Sequence, residues 1–329
     1  MKHRKTTGLG PLCSAMAALL ASCIVLSTTN HALGQSAGVY TSVASGYEHT
    51  CALTAGGSVK CWGRNNVGQL GDNSNVDSLA PRDVVGAADV VSIDSRFRHT
   101  CVLTPGGAVK CWGDNEYGQI GDGTATNAIR ATDVDRLGSG IVAISVGGRH
   151  TCALTSEGGV KCWGTNAAGQ IGDGTLVSKP SSTDVIGLTR PIIAASCGYD
   201  HTCAVTVDGA VKCWGNNTSG QIGANSLAER FSSPTDVFGL TSGIVAIGSG
   251  IDHTCAISTA GGMKCWGNNV STQIGDGTTI NRLAPVDVIG LDSDATAVVA
   301  GQQHTCALLT NGRIQCRGDN ASGTARGTF

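Results

Sequence analysis

The sequence has few charged residues, and it lacks a long hydrophobic run. Charged residues make up 14% of the 329 residues, and lysine and arginine form no run after residue 5. Binding to a phosphate backbone needs a basic patch or stripe, so a nucleic-acid partner is not expected. The longest apolar stretch, about residues 12–26, is shorter than the roughly 20 residues that cross a bilayer. No apolar periodicity of a helix appears after residue 35, which argues against a helical fold.

The short motifs of common enzyme active sites are also missing. The sequence contains no G-x-S-x-G, no phosphate-binding P-loop and no H-E-x-x-H zinc motif. We therefore expect a protein that is not an enzyme and that binds no cofactor and no metal.

The N-terminal 34 residues are predicted to be a signal peptide. Lys2, Arg4 and Lys5 precede the apolar run, and small residues follow it near Gly34. A bacterial lipobox, Leu-Ala-Ser-Cys ending at Cys23, is the alternative, and lipidation there would give a membrane anchor. Either signal predicts an exported protein, secreted, periplasmic or on the cell surface. Without residues 1–34 the chain has 19 basic and 24 acidic residues, so its formal charge changes from −2 to −5.

What is present is a repeat. The triplet His-Thr-Cys starts at residues 49, 99, 150, 201, 253 and 304, at steps of 50 to 52 residues. Each copy continues through a glycine-bearing turn to a Val-Lys-Cys-Trp-Gly segment or a close variant of it, and an apolar run precedes each copy. Short β-branched runs separated by tight turns predict about four strands per repeat, and such a unit stacks against its own copies.

Twelve cysteines form six pairs that are ten positions apart. In the fourth copy, Val207-Asp208-Gly209 is a three-residue hairpin loop, which places Cys203 opposite Cys213. At a non-hydrogen-bonded site the Cα atoms lie about 4.5 Å apart, close enough for a disulfide. Zinc is disfavoured because the C-x2–4-C spacing is missing. The predicted bridges are Cys51–Cys61, Cys101–Cys111, Cys152–Cys162, Cys203–Cys213, Cys255–Cys265 and Cys306–Cys316; Cys197 is predicted to be a buried free thiol.

The motifs G-x-x-H-T-C-A-L, V-K-C-W-G-x-N and G-Q-[IL]-G-D-G-T resemble the repeat of the regulator of chromosome condensation family, over about residues 39–329. The resemblance implies an all-β fold, a β-propeller. We predict that residues 35–329 form one domain of six four-stranded blades of about 51 residues. The propellers of the family generally have seven blades, and Arg317 replaces tryptophan in the sixth copy, so an incomplete or seven-blade-derived propeller is the alternative. In the six-blade reading, the N-terminal strand, about residues 36–45, completes the last blade.

The repeated histidines and tryptophans are predicted to be structural. Equivalent residues of adjacent blades are separated by about 10 Å, the distance between packed sheets, so two of these histidines cannot share a metal. We expect each imidazole to bond the backbone of its own turn or of the next blade. Each tryptophan should pack between blades.

The residues that vary between copies are the candidate binding residues. The two positions before each repeat histidine should all emerge at one end of the propeller, and aromatic, arginine and acidic side chains there are suited to contacts with a partner. The candidates are Tyr47, Phe97, Arg98, Arg149, Tyr199 and Asp252. A second variable set follows the Gly-Gln-Ile-Gly segment in each copy.

The sequence thus predicts an exported, monomeric, non-enzymatic protein that binds another protein through these loops. Inhibition of an extracellular enzyme is a special case of that function, since the family includes a β-lactamase inhibitor. Two alternatives stay open: guanine-nucleotide exchange on a small GTPase, as in the namesake of the family, and binding of a surface polysaccharide or peptide.

Overall fold

The protein is a six-bladed β-propeller. The computed structural model describes residues 39–320, in which 23 strands form six antiparallel sheets and no residue is helical. Five sheets have four strands, and the sixth has three within the described range. No helix in residues 39–320 is long and apolar enough to span a membrane. The predicted signal peptide and Cys23 lie outside the described residues.

The first three blades follow the chain in order, and within each sheet the strands are neighbours in sequence order. Their strands are β1 (Tyr40–Ser45), β2 (His49–Thr54), β3 (Val59–Gly63) and β4 (Ser78–Asp83); β5 (Ser92–Arg96), β6 (His99–Leu103), β7 (Val109–Gly113) and β8 (Ala128–Asp133); and β9 (Ile141–Val146), β10 (His150–Thr155), β11 (Val160–Gly164) and β12 (Lys179–Asp184).

The last three blades repeat this arrangement, and the sixth blade has three described strands. Their strands are β13 (Ile192–Cys197), β14 (His201–Thr206), β15 (Val211–Asn216) and β16 (Arg230–Asp236); β17 (Ile244–Ser249), β18 (His253–Ser258), β19 (Met263–Gly267) and β20 (Arg282–Asp287); and β21 (Ala295–Ala300), β22 (His304–Leu309) and β23 (Ile314–Gly318).

The first strand of each blade lies nearest the axis of the propeller, since these strands contact one another from β1 to β21. Consecutive antiparallel strands are joined at alternating ends of a sheet. The loop between the first and second strands therefore emerges at the same end as the long loop between the third and fourth. We call this end the pre-histidine face; its shorter loops are residues 46–48, 97–98, 147–149, 198–200, 250–252 and 301–303.

Each second and third strand form a hairpin with the predicted register. In the fourth blade Cys203 is opposite Cys213 and Val205 is opposite Val211. All six cysteine pairs are joined as disulfides, with Cα–Cα distances of 4.0–4.1 Å. A loop of about 11 residues gives each bridge roughly 2–3 kcal/mol in the chain-entropy estimate. Cys197 is free and buried.

Buried side chains hold adjacent blades together. Between the second and third blades, Thr151 donates its hydroxyl hydrogen to the carbonyl of Gln119 at 3.0 Å, and the Trp163 indole donates to the same carbonyl at 2.9 Å. His99 Nε2 lies 2.9 Å from the Thr151 hydroxyl. Because that hydroxyl has already donated its only hydrogen, His99 must be the donor, which fixes the neutral Nε2–H tautomer. The histidine partner is thus a threonine side chain of the next blade, and the expectation of a backbone partner was wrong.

The second glycine of Gly-Gln-Ile-Gly makes room for this tryptophan. Gly121 has a φ of 82°, and a Cβ added there would lie 2.6 Å from the indole nitrogen of Trp163. The sequence Gln-Ile-Gly is therefore both a turn and the floor of the tryptophan pocket. Trp112, Trp163, Trp214 and Trp266 are all fully buried in this way.

The prediction that the N-terminal strand completes the last blade was wrong. Strand β1 pairs with β2 in the first blade, with Val43 opposite Ala52. A three-residue loop joins these two strands, so local pairing costs far less loop-closure entropy than pairing across the ring. The boundary between the last and first blades is less covered than the others, since Trp62 is partly exposed. At the boundary between the fifth and sixth blades, Arg317 stands in place of a tryptophan and donates to the carbonyls of Gly275 and Ile289.

Arg96 connects opposite sides of the propeller. It extends from β5 across the axis and donates hydrogen bonds to the carbonyls of Ser249 at 2.8 Å, Gly250 at 3.1 Å and Ala300 at 3.3 Å. Asp94, two residues earlier, accepts a bond from the Val146 amide at 2.7 Å. One inner strand thereby contacts the third, fifth and sixth blades.

Candidate functional site

The second blade departs from the repeat at the pre-histidine face. Arg96 stands where the other five copies have a glycine, at Gly46, Gly147, Gly198, Gly250 and Gly301. The next residue, Phe97, has a left-handed backbone with φ 53°, which is uncommon for a residue with a bulky side chain. Its carbonyl accepts a hydrogen bond from the Tyr47 amide at 2.7 Å, which holds this conformation in place.

Three of the predicted binding residues form one aromatic cluster around Phe97. The ring centroid of Phe97 lies 5.9 Å from that of Tyr47 and 5.6 Å from that of Tyr199, with the Tyr199 ring edge-on. Such distances and angles are those of favourable aromatic pairs. The rings come from the first, second and fourth blades, so the cluster exists only in the folded propeller.

Two arginines lie against the same cluster. The guanidinium carbons of Arg98 and Arg149 lie 5.3 Å and 5.7 Å from the Phe97 ring centroid, and that of Arg149 is also 4.9 Å from the Tyr117 ring. These are cation–π distances, and they fix the direction of both guanidinium groups. The structure thus brings together five of the six predicted residues, Tyr47, Phe97, Arg98, Arg149 and Tyr199.

The sixth predicted residue, Asp252, belongs to an acidic pair on the adjoining blades. Gln221 donates to the Asp252 carboxylate at 3.1 Å, and Gln170 donates to the Asp200 carboxylate at 3.0 Å. Burial raises the pKa of Asp252; it also raises the pKa of Asp200, against the opposing effect of the Arg149 charge. The amide of Tyr199 donates to the carbonyl of Ile251 at 3.3 Å, which links these two loops.

A depression of about 470 Å³ joins the two variable loop sets. Its lining includes Arg149 and Asp200 from the pre-histidine loops, Glu229 and Arg230 from the second set, and Tyr117, which directly precedes the Gly-Gln-Ile-Gly segment of the second blade. The topology places both loop sets at the same end of the propeller. Tyr117 was not predicted. Its signal is visible in the sequence, however, because other repeats have valine, alanine or serine there.

One group of side chains has the composition of a metal site, but it does not fit one. Donor atoms of His150, Cys152 and Cys197 lie within 4.8 Å of one another. Cys152 is already bound in a disulfide, so it cannot supply a thiolate. Burial raises the pKa of the Cys197 thiol to about 12, which disfavours the thiolate that a metal would bind. These three buried side chains therefore belong to the core of the propeller and not to a metal site.

The fold and the loops define a repeat propeller with an aromatic and charged surface at one end of its ring. Sequence profiles of the family give the same result independently. The chain belongs to the regulator of chromosome condensation (RCC1) repeat family, whose repeat matches residues 40–69, 90–119, 141–170, 192–221, 244–273 and 295–324.

Known proteins share parts of this chain. It is 35% identical over 188 residues to the probable E3 ubiquitin-protein ligase HERC4 of Homo sapiens, covering 56% of this chain and 18% of HERC4. It is 29% identical over 285 residues to the ultraviolet-B receptor UVR8 of Arabidopsis thaliana, covering 85% of this chain and 53% of UVR8. The chain thus spans about half or less of the length of these relatives.

Two solved structures share the fold. Human WBSCR16 aligns with a TM-score of 0.78 at 24% identity, covering 87% of this chain and 78% of that protein. Yeast RCC1 (Prp20), solved with Kap60 bound, aligns with a TM-score of 0.75 at 23% identity, covering 86% and 70%.

Proposed function

We propose that this chain is an exported, non-enzymatic propeller that binds another protein through its pre-histidine face. The aromatic cluster centred on Phe97 carries the proposal. Rigid aromatic rings and stacked arginines are the residue types that dominate binding energy at protein interfaces. An inhibitor of an extracellular enzyme would be one form of this function.

The disulfides and the fold support the proposal from two other directions. Six bridges in one chain are typical of an oxidising compartment, as export would supply. Yeast RCC1, which shares this fold, is solved with Kap60 bound, so a protein of this fold has a protein partner. Nucleotide exchange on a cytosolic GTPase is disfavoured by the same bridges; a cytosolic product with reduced cysteines in cell fractionation would favour exchange instead.

The geometry favours a protein partner over a polysaccharide. Sugar binding commonly uses an open ring face, but the Phe97 ring is contacted by Tyr47, Tyr199 and both arginine side chains. None of the three aromatic rings in the cluster lines the depression of about 470 Å³. It is therefore suited to packing against a partner surface.

Capture of the partner by single alanine variants tests the proposal. The wild-type protein is immobilised, partners from the medium and surface of the exporting cell are identified by mass spectrometry, and the affinity of the main partner is measured. We expect one or two of the variants at Tyr47, Phe97, Arg98, Arg149 and Tyr199 to lose about 2 kcal/mol or more, which is roughly 30-fold in affinity.

Phe238→Ala is the matched control. Phe238 is 59% exposed and follows β16, which places it at the opposite end of the propeller. This variant should bind normally. Tyr47 is 56% exposed, so Tyr47→Ala should change the free energy of unfolding by no more than about 0.5 kcal/mol. Unchanged affinity in all five variants would reject the pre-histidine cluster as the binding surface.

A further inference from the structure

Four charged side chains follow one another around the pre-histidine face. Arg98 and Arg149 belong to the second and third blades, and Asp200 and Asp252 belong to the fourth and fifth. Each occupies the position directly before the repeat histidine, and each is half-buried. At this position the charge therefore changes from positive in the second and third blades to negative in the fourth and fifth.

None of these four side chains forms an ion pair within residues 39–320. In the first blade, by contrast, the equivalent residue Glu48 is paired with Arg64 at 2.7 Å. A second kind of ion pair, formed by Lys60 and Asp83 at 2.6 Å in the first blade, recurs in the second to fifth blades. Of the five charged residues that directly precede a repeat histidine, Glu48 is thus ion-paired and these four are not.

The surroundings of these groups orient them without forming an ion pair, although the Arg149 charge acts on Asp200 from beyond ion-pair distance. The two arginines are held by stacking, and the Nε atoms of both are buried without an acceptor. A second depression on this face is lined by Arg98 together with Asp114 and Glu116, and Glu229 lines the depression of about 470 Å³ together with Arg149. None of these three carboxylates forms an ion pair with Arg98 or Arg149. Half-buried charges left unpaired are unfavourable in the free protein, and a partner with opposite charges removes that cost.

We propose that the pre-histidine face recognises a polypeptide surface that carries both signs of charge. Carboxylates of the partner bind Arg98 and Arg149, and lysine or arginine side chains of the partner bind Asp200 and Asp252. This inference rests on the proposed protein-binding function and specifies its partner. A polyanion is a poor ligand because Asp200 and Asp252 repel it, and a polycation is repelled by the arginines. Polypeptides carry both charges in one ligand.

Defined synthetic peptides test the charge pattern. The probes are three fluorescent 16-residue peptides: one with four Glu-Ser followed by four Lys-Ser units, one with Glu-Ser throughout and one with Lys-Ser throughout. Anisotropy is measured with the full disulfide-bonded protein at low and high salt. We expect the mixed peptide to bind at least tenfold more tightly than either single-sign peptide, and its binding to weaken as salt screens the charges.

Charge-neutral variants locate the binding. Arg149→Gln and Asp252→Asn should each weaken the mixed peptide about tenfold, and Arg149→Lys should recover part of that loss because it keeps the charge without the planar fork. Arg136→Gln and Asp292→Asn are the matched controls, since both positions lie in connections at the opposite end of the propeller and both side chains are exposed. These controls should bind like the wild type. Thermal unfolding of every variant shows that it is folded.

The inference is overturned if a single-sign peptide binds as tightly as the mixed one, if no peptide binds, or if the controls weaken binding equally. A dimer in sedimentation that Arg149→Gln dissociates would assign the face to a second copy of the chain and would also overturn it. Partner capture separates the two proposals: loss on Tyr47→Ala but not on Arg149→Gln or Asp252→Asn rejects only the charge pattern.

Discussion

Acidification should destabilise this propeller strongly, because its blade junctions contain buried neutral histidines. Burial lowers the pKa of His49 to about 4 and that of His99, His150 and His253 to about 3, and it lowers the pKa of His201 well below the usual value. In the unfolded chain each of them titrates near 6.5. Between these values the unfolded state binds more protons, so stability is fully present above about pH 6.5 and is lost as the pH falls.

The size of the effect follows from the same pKa values. At pH 5.5 an unfolded histidine is about 90% protonated, which costs the folded state about 1.4 kcal/mol, and five such residues cost up to about 7 kcal/mol. Burial raises the pKa of Asp94, Asp200 and Asp252. These carboxyl groups take up protons in the folded protein as the pH falls, so they offset part of the loss.

The measurement is guanidinium unfolding followed by tryptophan fluorescence at pH 8, 6.5 and 5.5, with the disulfides intact. His253→Gln provides the internal control. Between pH 8 and 5.5 its free energy of unfolding should fall by about 1.4 kcal/mol less than that of the wild type, because one acid-sensitive histidine has been removed. This comparison holds whatever the substitution costs in stability at pH 8. Equal stability at pH 8 and 5.5, or an unchanged loss in His253→Gln, would refute the assignment of the buried imidazoles as the acid-sensitive groups.

Three further predictions concern the architecture. Non-reducing peptide mapping should find the six hairpin bridges and a free Cys197, whereas bridges between different repeats would contradict the hairpin register. Trp163→Ala should lower the free energy of unfolding by about 3–5 kcal/mol because it empties a fully buried pocket. Trp62→Ala, at a partly exposed site, should lower it by less than half as much. Equal losses in urea unfolding would show that the first blade is covered like the others. Arg96→Ala should lower the free energy of unfolding by about 3–5 kcal/mol, because it removes the hydrogen bonds across the axis and leaves the buried Asp94 charge without its neighbour. Amide hydrogen exchange should also increase in β21. Unchanged exchange there would show that the contact with Ala300 does not hold the sixth blade.

The sequence by itself determined the blade. Each hairpin has a loop of fixed length, and the side chains of a strand alternate, so the opposition of Cys203 and Cys213 follows from local spacing alone. The regular return of His-Thr-Cys determined the number of hairpins in the same way. These features depend on contacts between residues about ten positions apart, which a one-dimensional pattern records. The assignment of β1 to the last blade failed because a pattern of repeats does not state where the ring begins.

Only the tertiary structure decided which variable residues meet. Phe97 lies 50 positions from Tyr47 and 102 positions from Tyr199 in sequence, and it touches both because three inner strands deliver their loops to one end of the axis. Arg96 shows the same limit: nothing local indicates that a residue in a glycine position reaches the carbonyl of Ala300 on the far side of the axis. Strand pairing within a blade is set by chain connectivity, whereas contacts across the ring depend on the curvature that results when all six blades pack together.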